Sequence, residues 1–334
     1  MKNSLKLEEI RPKKVMVGQK VAMGKDIKKL TSKKYNFESV FCPACNKNNY
    51  KYLYEKNYTH HVLCLECKTQ FVTPRLTEKS LKDFYIESDN YEYWSDKVYL
   101  SSFEARKNKI FVPRLNKLLE LLKNKGLNRS FIEVGAAHGI FCKIVDESNH
   151  FDKVLGIEPT PGLAELARSF GVNIIEETYE KTNLKEKVSV IASFEVIEHL
   201  HSPIKFLSWC HENLQPGGCL YISCPNIEGF ETNILGKFSG TVDHQHINLF
   251  NTKSVELLMK RAGFTGVKVE TPGELDVEIV SEALENNLIK FDSIQPEYQD
   301  FFKNDKLEKL QEILKKSNMS SHMIASAYKP NESA

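Results

Sequence analysis

The sequence of 334 residues has no apolar run long enough to cross a membrane as a helix. Its first residues, Met1-Lys-Asn-Ser, lack the basic and then apolar layout of a secretory signal. It also lacks internal repeats, low-complexity tracts and any arginine-rich segment. These absences predict a cytoplasmic chain without a membrane span, and they weigh against a nucleic-acid-binding surface.

Net charge is also small, at +2, but it is unevenly distributed. Residues 1–40 contain ten Lys and one Arg against four acids, a balance of +7, so the remainder carries +2 − 7 = −5. Such a basic segment indicates either a surface for phosphate-bearing partners or a Lys-rich arm that is simply solvated. We favour the solvated arm, wrapped on the body of the protein.

The eight cysteines do not require disulfides, because four of them stand singly in apolar segments. The other four form the pairs Cys42-Pro-Ala-Cys45 and Cys64-Leu-Glu-Cys67, with eighteen residues between the pairs. This spacing predicts a zinc ribbon in which four thiolates surround a structural Zn. A ribbon without metal and a redox pair are the alternatives. His60 and His61 lie between the pairs and are predicted to be surface residues.

After residue 102 the pattern becomes an alternation of helices and strands, which predicts a doubly wound, mostly parallel sheet. A helix is expected from Ser102 to Lys125, with Gly126 as its stop. The domain organisation follows from these patterns: a basic arm at 1–40, a zinc ribbon at 41–74, an aromatic connector with helices at 75–128, and an α/β domain at 129–334 with a helical insertion at about 271–320.

A glycine loop follows the first predicted strand of the α/β domain, in the segment Glu133-Val-Gly135-Ala-Ala137-His-Gly139. Glycines at a strand-to-helix turn let backbone amides approach a ligand. Glu158, nineteen residues beyond Gly139, ends the next predicted strand and is placed to accept both hydroxyls of a ribose. The spacing of the glycines differs from that of a dinucleotide-binding loop.

With Val196-Ile-Glu-His199 and Leu214-Gln-Pro-Gly-Gly218, this loop resembles the first motif of the class I S-adenosylmethionine-dependent methyltransferases, with Ala137 in place of the middle glycine. The resemblance covers about residues 131–329. It implies a Rossmann-like sheet of seven strands, with Glu133 and Gly135 along the methionine part of the cofactor and Glu158 on its ribose. A nucleotide-type fold without activity is the alternative. The predicted cofactor-binding residues are Glu133, Gly135, Ala137, Gly139, Glu158 and Glu195.

Glu195, Glu198 and His199 lie at helical spacing, so one turn would bring their side chains together. A second group, Asp243-His244-Gln-His246, is expected at the same end of the sheet. The set resembles the divalent-metal site of small-RNA 2′-O-methyltransferases and the Glu-x-x-Glu-His of ubiquinone-pathway catechol O-methyltransferases. We predict that Glu195, Glu198, His199 and His246 hold Mg²⁺ or Mn²⁺, with His244 as the substitute ligand.

The alternatives for this cluster are a His acting as general base without metal, and a purely structural role. The predicted catalytic residues are His199, His246 and Glu198. The ribbon followed by this domain resembles deoxysugar C-methyltransferases and methyltransferases associated with surface-polysaccharide synthesis. The resemblance favours O-methylation of a sugar or glycan precursor, including phosphorylated or nucleotide-linked ones. The alternatives are RNA 2′-O-methylation, deoxysugar C-methylation and a non-catalytic binding protein.

Overall fold

The computed structural model describes residues 4–123, 127 and 129–331. The strands in chain order are β1 (Phe37–Glu38), β2 (Tyr50–Lys56), β3 (Thr59–Cys64), β4 (Gln70–Val72), β5 (Arg75–Leu76), β6 (Ser130–Val134), β7 (Lys153–Ile157), β8 (Ile174–Ile175), β9 (Val188–Phe194), β10 (Leu214–Pro225), β11 (Asn248–Leu249), β12 (Thr265–Glu270) and β13 (His322–Tyr328).

The α-helices are α1 (Leu7–Ile10), α2 (Lys13–Leu30), α3 (Glu78–Ile86), α4 (Asp89–Tyr93), α5 (Phe103–Arg106), α6 (Val112–Leu122), α7 (Ile140–Glu147), α8 (Pro161–Ser169), α9 (Pro203–Asn213), α10 (Phe230–Leu235), α11 (Thr252–Arg261), α12 (Asp276–Glu285), α13 (Pro296–Lys303) and α14 (Leu307–Lys316). Wider π-helical turns at Trp94–Tyr99 and Lys107–Phe111 join α4 to α6. The expected helix stop at Lys125 and Gly126 lies outside the described residues.

Seven strands form the central sheet in the order β12-β13-β10-β9-β6-β7-β8. Strands β10, β9, β6, β7 and β8 pair in parallel, whereas β13 is antiparallel to both β10 and β12. The predicted doubly wound, mostly parallel seven-stranded sheet is therefore confirmed. All residues of β6 and β9 are buried, as expected for strands covered by helices on both faces.

Each face of the sheet has its own apolar core, because neighbouring residues in a strand point to opposite faces. On one face, Phe131 packs with Phe141 of α7. On the other, Ile132 belongs to the cluster that contains Phe206 of α9. Residues 271–320 lie outside this sheet, and helices α12 and α14 bury Val280 and Leu314 in a small core of their own.

The cysteine module is a meander of β2, β3 and β4 to which β11 of the α/β domain adds a fourth strand. The module is thus fastened to the α/β domain by backbone hydrogen bonds. His60 is exposed as predicted, but the prediction for His61 is wrong. His61 is fully buried, with Nε2 at 3.2 Å from the Thr59 hydroxyl and Nδ1 at 3.3 Å from Gln70 Nε2, since it faces inward on β3.

The basic arm is mainly the helix α2, which the sparse apolar spacing of the sequence did not indicate. Its position is fixed by a buried carboxylate: Asp26 accepts hydrogen bonds from the backbone N–H groups of Asp89 (2.9 Å) and Asn90 (3.0 Å) and from the Ser88 hydroxyl (2.5 Å). These groups form the first turn of α4, whose partial positive charge favours a carboxylate. Tertiary contacts therefore stabilise an arm helix of low amphipathicity.

No helix among residues 4–123, 127 and 129–331 is both long and apolar enough to cross a membrane.

Candidate functional site

The glycine loop follows β6 directly and has an unusual backbone. Gly135, Ala137 and Gly139 all have positive φ, of 76°, 46° and 70°. A Cβ atom at Gly135 would lie 2.5 Å from the Val196 side chain, so only glycine fits between the loop and the segment after β9. The loop and the Glu198 region are therefore packed together at the carboxyl ends of the parallel strands, where ligands bind in such folds.

Glu158 stands at the end of β7, and its buried carboxylate supports the loop. Its Oε2 accepts the Ala137 N–H at 2.9 Å and its Oε1 accepts the Thr160 N–H at 2.9 Å. Glu133 is buried as well and accepts the Cys142 N–H at 3.1 Å in the first turn of α7. Burial raises the pKa of Glu133 to about 8. Both residues border the same cleft as Gly135, Ala137 and Gly139.

The four cysteines of the ribbon converge, with Cys42 Sγ at 3.4 Å from Cys67 Sγ and Cys45 Sγ at 3.5 Å from Cys64 Sγ. All four sulfurs lie within 4.8 Å of one another. Sulfurs bound to one tetrahedral Zn at ~2.3 Å are about 3.8 Å apart, while disulfide sulfurs are about 2.05 Å apart. The arrangement fits a metal ion and does not fit two disulfides.

A second group that could hold a metal consists of Glu198, His199 and His246, whose ligand atoms also lie within 4.8 Å of one another. The two imidazole rings are 4.7 Å apart. Glu198 is 1% exposed, and neither of its oxygens has a hydrogen-bond partner among the described residues. Burial and the nearby Glu195 raise the pKa of Glu198 well above its ordinary value. The carboxylate thus lacks any compensating donor.

His199 and His246 are held by backbone carbonyls. His199 Nδ1 lies 3.0 Å from the Gln245 oxygen and 2.9 Å from the Tyr85 hydroxyl, and His246 Nδ1 lies 2.7 Å from the Thr241 oxygen. A carbonyl oxygen only accepts, so each Nδ1 carries the proton and each Nε2 keeps its lone pair. Burial and the neighbouring His246 lower the pKa of His199 to about 3, so this ring is neutral at pH 7.

Glu195 was predicted as a cofactor and metal residue, but it lies outside the group formed by Glu198, His199 and His246. Its φ of 56° turns the side chain toward β10 and β13. There its Oε1 accepts from the Ser223 hydroxyl at 2.5 Å and contacts His322 Nε2 at 2.8 Å. His244 also lies outside that group, because its buried ring packs edge-on against Phe84 at 5.8 Å.

Several cleft residues were missed by the sequence analysis. His322 and Arg114 come from β13 and α6, and Tyr85 comes from the aromatic connector. Arg75, at the end of the ribbon, holds the segment after His246 in place. A polar residue inside an apolar strand was the available signal for His322. No local pattern marked the arginines.

The cleft has a volume of about 1950 Å³. It extends from the glycine loop and Glu158 past Glu195 to His199 and His246, and residues of the arm and the connector form its outer wall. Ligand pockets commonly measure about 300–1,000 Å³, so this cleft has room for a nucleotide-sized cofactor and a second molecule.

The chain is similar to several known methyltransferases. A family profile described as a methyltransferase domain matches residues 104–269. The chain is 26% identical to the mitochondrial ubiquinone biosynthesis O-methyltransferase of Candida albicans, over 44% of this chain and 50% of the relative. It therefore spans about half the length of that curated relative.

Among solved structures, a phosphoethanolamine N-methyltransferase 2 of Haemonchus contortus, in complex with phosphomonomethylethanolamine and S-adenosylhomocysteine, is similar with a TM-score of 0.50 and 16% identity. The alignment covers 78% of this chain and 63% of that one. A possible histamine N-methyltransferase of Thermotoga maritima gives a TM-score of 0.46 at 18% identity, over 75% and 98% of the two chains. Residues 104–269 therefore form a methyltransferase domain, and the chain has the fold of S-adenosylmethionine-dependent methyltransferases.

Proposed function

We propose that the protein transfers the methyl group of S-adenosylmethionine to a hydroxyl oxygen of a sugar or glycan precursor used in surface-polysaccharide synthesis. The observation that carries this proposal is the group of Glu198, His199 and His246 at the far end of the cleft that begins at the glycine loop. In this proposal Glu133, Gly135, Ala137, Gly139 and Glu158 surround the cofactor.

The reaction is an in-line displacement. The acceptor oxygen forms a bond to the methyl carbon while the bond from carbon to sulfur breaks, and the sulfonium becomes a neutral thioether. The hydroxyl proton leaves to the lone pair on Nε2 of His199 or His246. Holding both reactants in one cleft makes the step effectively unimolecular, and the arm and connector exclude water from it.

The two histidines are suited to this role because their tautomer is fixed. Each donates its Nδ1 proton to a backbone carbonyl, so Nε2 is free for the acceptor. Tyr85 donates its hydroxyl proton to the Gln245 oxygen at 3.3 Å and accepts from His199 Nδ1. This arrangement fixes the ring of His199 without using its Nε2.

The same atoms fit a divalent cation, since an uncompensated buried carboxylate and two free imidazole nitrogens form a mixed oxygen and nitrogen donor set. Glu198, His199 and His246 would hold Mg²⁺ or Mn²⁺, which would lower the pKa of a bound hydroxyl. Glu195 does not belong to this set. Because burial and His246 lower the pKa of His199 to about 3, its ring is neutral at pH 7 and its Nε2 lone pair is available to a cation.

We further propose that Cys42, Cys45, Cys64 and Cys67 hold a structural Zn. Four thiolates complete a tetrahedral shell, so no position remains for a substrate. The nearby β11 pairs with β4 and begins two residues after His246. A metal in the ribbon would therefore stabilise the strand on which the position of His246 depends.

A hydroxyl acceptor agrees with the similarity to the curated relative, which is an O-methyltransferase. A small acceptor agrees with the outer wall of the cleft, because residues from Leu5 to Met23 of the arm line it and would obstruct a large folded RNA. The sugar class rests on the resemblance of the ribbon and domain order to polysaccharide-associated methyltransferases.

The proposal is tested by incubating the purified protein with methyl-labelled cofactor and fractionated cell extract. We expect label in nucleotide sugars or glycan, as a methyl ether on oxygen. Label in RNA, or on a carbon atom of a sugar, would overturn the acceptor assignment. Cofactor binding with no labelled product in any fraction would favour a non-catalytic binding protein.

The role of the metal is tested in the same assay with a chelator. Turnover is measured before and after treatment, and zinc content is measured in parallel to show that the ribbon is intact. If the chelator abolishes turnover and added Mg²⁺ or Mn²⁺ restores it, the result supports a divalent cation at Glu198, His199 and His246. Undiminished turnover with the ribbon intact leaves His199 or His246 as a general base alone.

A further inference from the structure

Three arginines from separate segments border the cleft on the side of Glu195. Arg11 follows α1 in the arm, Arg106 ends α5, and Arg114 lies in the first turn of α6. Arg106 donates from Nη2 to the Ile10 carbonyl at 3.2 Å and so fixes the backbone next to Arg11. The arm and the connector therefore bring their guanidinium groups to one place.

Aromatic rings support two of these guanidinium groups. The Cζ atom of Arg11 lies 5.9 Å from the centre of the Trp94 ring, and that of Arg106 lies 4.3 Å from the Tyr99 ring. The two rings are 6.2 Å apart. A guanidinium held against a ring keeps its N–H edges free, and those edges bind phosphate oxygens in pairs.

Arg114 is only 9% exposed and lies over the Phe194 ring at 4.6 Å. Its Nη2 is 3.2 Å from His322 Nε2 and 3.8 Å from Glu195 Oε1. Glu195 already contacts Ser223 and His322, so it compensates the charge of Arg114 only in part.

Positive charge therefore exceeds negative charge here. Within the described ranges (4–123, 127 and 129–331), the guanidinium of Arg11 has no hydrogen-bond or ion-pair partner, and Arg106 bonds only to the neutral oxygens of Ser102 and Ile10. Glu231 is also near Arg11, and burial raises the pKa of its carboxyl to about 7. Placing the buried Arg114 beside the half-buried Arg11 and Arg106 with so little compensation is unfavourable unless an anion joins them.

We propose that Arg11 and Arg114, with Arg106 as the residue that positions Arg11, form a subsite for a phosphate group carried by the acceptor. This inference rests on the proposed function and specifies its substrate class as a phosphorylated or diphosphate-linked sugar. The volume of the cleft, about 1950 Å³, has space for such an acceptor beside the cofactor.

The test is calorimetric titration of inorganic pyrophosphate into the full chain saturated with S-adenosylhomocysteine. Arg11→Gln and Arg114→Gln should each weaken pyrophosphate binding by about tenfold or more, because a charge-assisted hydrogen bond is lost. Lys14→Gln is the matched control, since Lys14 is an exposed cation of the same arm outside the cleft. Its affinity for pyrophosphate should stay within about twofold of the wild type.

Three results would overturn the proposal. They are no pyrophosphate binding to the wild type, equal binding by Arg11→Gln, or displacement of S-adenosylhomocysteine by pyrophosphate, which would assign the arginines to the cofactor carboxylate. Arg11→Gln keeps the test valid if Arg114→Gln does not fold, because within the part of the chain that the structure describes the Arg11 side chain makes no hydrogen bond or ion pair whose loss would unfold the chain. The titration measures only binding, whereas the labelling assay measures methyl transfer. If pyrophosphate binds as expected but no labelled product forms, the proposed function is refuted and the phosphate subsite is still supported.

Discussion

Arg75 connects the cysteine module to the candidate active site, and Arg75→Met should therefore destabilise the fold. The side chain is 1% exposed. It donates from Nη1 to Asn248 Oδ1 at 2.8 Å, from Nε to the Val72 carbonyl at 2.9 Å, and from Nη2 to the Ile247 carbonyl at 3.2 Å. Burial lowers its pKa to about 9, so it remains charged at pH 7.

Methionine has a similar length but no donor, so Asn248 Oδ1 and the Val72 carbonyl would lose this partner, while the Ile247 carbonyl would keep the Val72 N–H at 3.0 Å. Each unsatisfied acceptor costs about 1–3 kcal/mol, and relief from burying the charge offsets part of this loss. We expect the free energy of unfolding to fall by about 3–5 kcal/mol. The matched control is Arg168→Met, which removes a half-exposed ion pair with Glu176 and should change stability by less than about 1 kcal/mol.

The assay is urea unfolding followed by circular dichroism, with S-adenosylhomocysteine binding and methyl transfer measured on the folded variant. Asn248 donates its N–H to the Glu198 carbonyl at 3.0 Å, so loosening this segment should slow methyl transfer more than it weakens cofactor binding. An unfolding free energy within about 1 kcal/mol of the wild type would show that Arg75 does not connect the two parts.

Three further outcomes are expected. Cys64→Ala should abolish zinc binding measured by metal analysis and lower the melting temperature, and an unchanged melting temperature would contradict a structural metal. Burial raises the pKa of Glu133 to about 8, whereas a glutamate in the unfolded chain has a pKa of about 4.3. Between these two pH values the folded chain keeps a proton that the unfolded chain has released, so the free energy of unfolding falls as the pH rises toward 8. In Glu133→Gln, the decrease in the free energy of unfolding from pH 5 to pH 8.5 should be smaller than in the wild type by about 4 kcal/mol. The measurement is urea unfolding at several pH values, and the same pH dependence in both proteins would contradict this prediction. Gly135→Val should abolish S-adenosylhomocysteine binding in calorimetry, because its side chain would collide with Val196, whereas Gly171→Val, at an open surface position, should retain it.

The strands of the α/β domain were predictable because each is a short apolar run ended by a turn residue. The helix Pro161–Ser169 carries clear local signals, with Pro at its first position and Gly171 beyond its end. The arm helix α2 was missed for the opposite reason. Its stability comes from the hydrogen bonds between Asp26 of α2 and the first turn of α4, which lie far apart in sequence.

The candidate site was predictable where its residues share a short motif or follow a strand. Glu198, His199 and His246 were expected to meet because both segments lie at the carboxyl ends of the sheet, and the structure brings them together. Glu195 was misplaced because helical spacing was assumed, whereas its positive φ turns the side chain away. Positive φ at a glutamate is set by tertiary packing and leaves no local signal.

The arginines of the cleft were also beyond the reach of local patterns. Arg11, Arg106 and Arg114 are separated by many residues and are unremarkable in their own segments. Their shared position follows from the path of the arm over the connector. The same holds for His322, which reaches Glu195 only because β13 inserts beside β10 in antiparallel orientation.

The central claim is that methyl transfer to oxygen takes place at Glu198, His199 and His246. The most direct measurement compares Glu198→Gln with the wild type in the rate of methyl label entering nucleotide sugars, at equal saturation with cofactor. We expect a loss of about a hundredfold or more, with S-adenosylhomocysteine affinity unchanged within about twofold. A variant that transfers label at the wild-type rate would contradict the account.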